Sequence, residues 1–109
     1  MTAHQRICFT LNVRPDRLDE YRAAHADVWQ EMRDALTRHG WRNYTLFLRD
    51  DGLLVRYVET PDFAAAVAGM QDEDVNARWQ AAMLDFFEPL PEGAADKAMT
   101  PLAEVFHLD

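Results

Sequence analysis

The 109-residue chain has the size of one domain with one hydrophobic core. Lys and Arg number 11 against 19 Asp and Glu, a net charge of −8 that excludes a phosphate-backbone binder or a polybasic membrane anchor, and 49% hydrophobic content excludes disorder. Cys8 is the sole cysteine, so no intrachain disulfide and no Cys-based zinc centre follows from it; without a signal-peptide h-region or a bilayer-length apolar run, the expectation is a soluble, cytoplasmic protein in which residues 1–109 form one domain.

Ile7, Phe9, Leu11 and Val13 alternate with Cys8, Thr10 and Asn12, which predicts a strand with one apolar face. Arg14-Pro15-Asp16 then opens a helix, with Pro in the first turn and Asp at its positive end. Leu18, Tyr21, His25, Val28, Trp29, Met32, Ala35 and Leu36 recur at three- and four-residue steps as one stripe, and Gly40 is placed to end the helix. Residues 41–49 and 53–59 are strand-like, and Asp50-Asp51-Gly52 joins them as a hairpin.

Thr60-Pro61 caps a short helix with Phe63, Val67 and Met70 turned inward. A further helix over about residues 72–87 carries Val75, Trp79, Ala82, Met83 and Phe86 on one stripe. Residues 88–101 contain Pro89, Pro91, Gly93 and Pro101 and read as a loop. A connection of that length covers a site or carries the chain to a distant partner. Residues 102–109 close the chain as a short strand with Phe106 and Leu108 on one face.

With the two later helices merged into one layer, the order is β-α-β-β-α-β, an α+β ferredoxin-like sandwich. Its antiparallel sheet has helices on one face only. The other face is occupied by Tyr44, Leu46 and Leu48 or by their alternates. Both hairpin strands are apolar on both sides, so a second copy of the chain is the simplest cover, and a homodimer with facing sheets is expected.

His25 is the most informative position, a titratable side chain on an apolar stripe one turn after Tyr21. The plain alternative is a core histidine satisfied by a backbone carbonyl. Trp79 offers a flat apolar platform beside Arg78, or else it fills the core. Tyr44 and Asn43 lie on a strand, and Glu59 is either a solvated charge or a carboxylate near the site. His4, His39 and His107 show no metal-ligand spacing, and Cys8 has no recognisable base. There is no phosphate loop and no GxSxG.

Taken together, these residues resemble the L-rhamnose mutarotase family over nearly the whole chain. The likeness is carried by Tyr21-x-x-x-His25, Val28-Trp29-x-Glu31, His39-Gly40, Asn43-Tyr44, Asp74-Val75, Arg78-Trp79 and Glu104-Val105-Phe106. The resemblance implies a dimeric α/β-barrel enzyme that interconverts the α and β anomers of L-rhamnose without a cofactor. It implies that His25 is the proton donor and that Tyr21, Tyr44 and Trp79 bind the sugar. Two positions depart from the family pattern: Gln30 stands where Pro often follows the helix tryptophan, and Gln80 stands where a second aromatic can follow Arg-Trp. An amide at position 80 favours a differently placed hydroxyl, which keeps L-fucose open as a substrate.

Fold alone also admits a small ferredoxin-like monooxygenase or haem-binding enzyme, and a non-catalytic dimeric module. The negative charge suits a neutral free sugar better than a phosphorylated one.

Overall fold

Alternation of side chains along the strands sets the two faces of the sheet. In the computed structural model, which describes residues 4–90 and 99–109, strand β1 (Gln5–Asn12) pairs antiparallel with β3 (Leu53–Thr60). Strand β3 pairs antiparallel with β2 (Arg42–Leu48), so the order is β1-β3-β2. Phe9 and Leu11 of β1 and Leu54 and Val58 of β3 are buried in the core. Their alternates Cys8, Thr10, Val55 and Tyr57 take the opposite face. On β2 the residues that pack on the core are Tyr44, Leu46 and Leu48, while Phe47 is 61% exposed. The uncovered face therefore carries the alternates.

Among the described residues four helices cover the inner face: α1 (Leu18–Ala26), α2 (Gln30–Arg38), α3 (Phe63–Gln71) and α4 (Asp74–Met83). The first differs from the continuous helix expected up to Gly40. Pro15–Arg17 is a 3-10 turn, and Asp27, Val28 and Trp29 interrupt the helix between α1 and α2. Asp and Val are weak helix formers there. The carbonyls at the break are not orphaned, since Arg33 donates through Nε to Val28 O at 3.1 Å and through its amide to Trp29 O at 3.0 Å. The stripe survives the break, because Tyr21, Met32 and Ala35 are all buried.

The cap of α3 is also displaced. Thr60 ends β3, and Asp62 caps the helix by accepting from the Ala65 amide at 3.2 Å. The predicted third helix resolves into α4 and a 3-10 turn, Leu84–Phe86.

The hairpin turn ties β3 to the end of β1. Gly52 has φ +101°, and its carbonyl accepts from the Val13 amide at 2.8 Å. A Cβ at this position would collide with the Val13 carbonyl oxygen. Gly52→Ala is therefore expected to cost about 2 kcal/mol and lower Tm by roughly 10 °C. Thermal melts followed by circular dichroism check this, and an unchanged Tm would show that the two strand ends part freely.

Residues 102–109 do not form the expected closing strand, since no ladder is present there. They run beside the free edge of β1, where the Leu102 amide donates to Cys8 O at 2.7 Å and Arg6 pairs with Glu104 at 2.6 Å. Val105, Phe106 and Leu108 are 95%, 78% and 78% exposed, so the segment is tied to β1 by these polar contacts and not by burial of its large apolar side chains. Of the expected loop, residues 91–98 lie outside the described residues. Leu90 and Met99, at its two ends, pack against the core.

Candidate active site

Helix α1 sets Tyr21 and His25 one turn apart, with their rings stacked at 4.2 Å between centroids. Helix α4 brings the edge of Trp79 to His25 at 5.4 Å and 83°, and the inner face of β2 supplies Tyr44. All four sequence-predicted residues line one cavity of about 420 Å³ between the helices and the sheet. That volume suits a monosaccharide. The interruption of the first helix serves this cavity, since it lets Val28 line the wall while Trp29 meets Trp79 edge-on at 5.0 Å.

Helix α4 is registered against α2 by Arg78. Its guanidinium meets both carboxylate oxygens of Glu31 at 2.9 and 3.0 Å, and Asp74 at 3.0 Å. These groups are exposed, and such pairs contribute about 1 kcal/mol or less. They link α4 to α2 beside Trp79, which lines the cavity.

His25 has a backbone partner and also faces the cavity. Its Nδ1 lies 3.0 Å from the Tyr21 carbonyl oxygen, as a satisfied core histidine would. A carbonyl only accepts, so Nδ1 carries the proton and Nε2 is left with the lone pair. The ring is half-buried and lines the cavity. Burial pushes its pKa below the ordinary value, against a smaller upward pull from the Tyr21 carbonyl. At neutral pH the imidazole is therefore uncharged. Burial likewise raises the pKa of Tyr21 and of Tyr44, so both remain phenols with a proton to donate.

Two polar residues of the cavity were not singled out from the sequence. Arg56 is 5% exposed and Asn76 is 3% exposed, and both line the wall. Arg56 had a signal, since it shares strand parity with the buried Leu54 and Val58. Asn76 sits one turn before Gln80 and accepts from its Nε2 at 3.1 Å, so the amide at position 80 does reach the site.

Other candidates lie elsewhere. Glu59 is outside the cavity, accepting from Asn43 at 3.2 Å and from the Tyr57 hydroxyl at 2.9 Å. His39 pairs with Glu73 at 2.7 Å, and His107 with Asp109 at 2.9 Å. Among the described residues no cluster of His, Cys, Asp or Glu is placed to hold a metal, and no helix is long and apolar enough to cross a membrane.

Comparison with known proteins gives a consistent result. The family model for L-rhamnose mutarotase matches residues 6–108. The L-rhamnose mutarotase of Burkholderia cenocepacia is 34% identical over 106 residues, spanning 96% of this chain and 99% of its own. That of Bacillus subtilis is 36% identical over 100 residues, spanning 89% of this chain and 91% of its own. The crystal structure of L-rhamnose mutarotase from Formosa agariphila superposes with a TM-score of 0.77 at 19% identity, over 96% of this chain and 99% of that one. At that identity the superposition speaks for the ferredoxin-like fold.

Proposed function

The chain belongs to the L-rhamnose mutarotase family, and from that premise we propose that it interconverts the α and β anomers of free L-rhamnose with His25 as the proton-transfer group. The observation that carries the reading is the fixed tautomer of His25, with a lone pair on Nε2 and the ring on the wall of an aromatic cavity.

Mutarotation opens a hemiacetal, turns the C1–C2 bond and closes the ring from the other face. The anomeric hydroxyl and the ring oxygen share C1 and lie side by side. One nitrogen can therefore take the proton from the first and deliver it to the second as the ring opens. Closure runs the same transfer backwards, so His25 is acceptor and donor in turn. Only protons move, so the reading needs no cofactor. Tyr21 and Tyr44 donate to sugar hydroxyls, and Trp79 lies against the apolar face of the ring. The 6-methyl group finds apolar wall.

The test is nuclear magnetic resonance exchange. Saturation of one anomeric proton of L-rhamnose should pass to the other faster with the protein than without it, and unchanged exchange would remove the proposal. L-fucose, which Gln80 keeps open as a substrate, belongs in the same assay.

The acceptor role fixes the sign of the pH dependence. The neutral form of His25 starts the cycle, and its pKa lies below the ordinary value of about 6.5. We expect kcat/KM to be flat through neutrality and to fall as pH drops through an inflection below about 6.5. Activity that instead falls as pH rises through that inflection would mean that the imidazolium starts the cycle.

The working unit in this reading is a cytoplasmic homodimer. The outer face of the sheet carries Phe47, Val55 and Tyr57 beside Cys8 and Thr10. A second sheet facing it would take that apolar surface from water.

A further inference from the structure

A buried cation on the wall of the cavity takes no part in the proton transfer described above. Arg56 lies at the centre of the middle strand, opposite Phe9 on β1 and Leu46 on β2. Its guanidinium sits over the Phe9 ring at 4.4 Å from the centroid. The neighbouring inward positions on β3 are Leu54 and Val58, where aliphatic side chains fill the same layer. Burying a guanidinium there is costly unless its donors are used, and an aliphatic residue would pack without that cost.

The chemistry of the donors indicates their use. A guanidinium has five N–H donors in a rigid plane and no acceptor. Arg56 donates to the Tyr44 hydroxyl. A phenol that accepts on its oxygen turns its single proton elsewhere, and Tyr44 borders the cavity. The two residues together present donors to whatever occupies that end. The amide pair Asn76–Gln80 on α4 offers both donors and acceptors, so the walls are not equivalent.

We propose that Arg56 is a specificity-determining and positioning residue, whose guanidinium and the Tyr44 hydroxyl it orients form a donor pole for the sugar's ring hydroxyls, leaving C1 to His25. The proposal rests on the mutarotase reading. It predicts which sugars suit the site, because L-rhamnose and L-fucose differ in the configuration of their ring hydroxyls and not in the atoms that react.

The experiment measures kcat and KM for both sugars by anomer exchange in the wild-type protein and in R56M, R56K, Y44F and R56M/Y44F. Absence of catalysis by the wild-type protein would count against the underlying reading and not against the role of Arg56. Given an active wild type, R56M is expected to raise KM for L-rhamnose tenfold or more while kcat changes less than threefold. The preference between the two sugars should shrink in the same variant, and R56K should recover part of the loss. Y44F should raise KM, and adding it to R56M should bring little further loss, because the two residues act as one unit. An unchanged KM and sugar preference in R56M would overturn the proposal. So would additive losses in the double variant, or a collapse of kcat at constant KM. If circular dichroism finds R56M unfolded, R56Q is measured against the same criteria.

Discussion

Replacing His25 with Ala should abolish catalysed anomer exchange of L-rhamnose and leave the chain folded. General acid–base groups contribute roughly 10²- to 10⁴-fold, and among the described residues no second group of the cavity that titrates near neutrality is positioned to substitute. Tyr21 and Tyr44 are held as phenols by burial, and Arg56 does not release a proton near neutrality. The structural loss is modest. In α1 the Tyr21 carbonyl also accepts the intrahelical bond from the amide at position 25, so truncating the ring orphans no buried oxygen. Removing a half-buried ring that stacks on Tyr21 should cost about 1–2 kcal/mol, within what a folded domain of this size tolerates. Exchange spectroscopy and a thermal melt of the same sample separate the two effects. Added imidazole should restore part of the rate by entering the space left behind. A His25→Ala protein that keeps full activity would show that the catalytic proton is carried elsewhere.

The residues that define this site were legible to the extent that they obey a period. Tyr21, His25 and Trp79 fall on helical stripes, and a titratable ring on such a stripe stands out against its neighbours. The break after Ala26 was not legible, because the stripe runs through Val28 and Trp29 without a change of phase. The weak helix propensity of Asp27 and Val28 permits a break there but does not demand one, and tertiary packing decides it, with Val28 and Trp29 spent on the cavity wall and on Trp79. The hairpin was legible from its Asp-Asp-Gly turn, but its inner face was not, because both faces of β2 and β3 are apolar. Pairing settles it, since Leu46 and Phe9 flank Arg56 on the inner side. Arg56 was overlooked for the same reason: its parity with Leu54 and Val58 was legible, but which parity faces the core was not.

The closing strand failed for a different physical reason. Its alternation is sound, with Phe106 and Leu108 on one side, but a strand needs a surface to bury that side. Among the described residues the ladder-like contact is the bond from the Leu102 amide to Cys8 O. The large apolar side chains beyond it stay exposed. The expectation of a strand and the expectation of a homodimer are therefore one expectation, since the surface missing from the single chain is what a second copy would bring.

Phe47→Asp, on the outer face of the sheet, should convert the proposed dimer to a folded monomer. Phe47 is 61% exposed, so its removal leaves the core of the chain intact. Facing sheets related by a twofold axis bury each substitution twice. An unpaired carboxylate taken into an apolar contact costs several kcal/mol; even about 2 kcal/mol per copy, doubled by symmetry, weakens association by roughly 10³-fold. Deleting residues 102–109 should weaken the dimer independently. That deletion removes Val105, Phe106 and Leu108, large apolar side chains that stay exposed in the single chain. Light scattering at micromolar concentration reads both variants against the wild-type protein. A wild-type monomer would refute the facing-sheet arrangement outright. A Phe47→Asp dimer would move the interface off this face, and an undiminished dimer after the truncation would leave the C-terminal segment without a part in it.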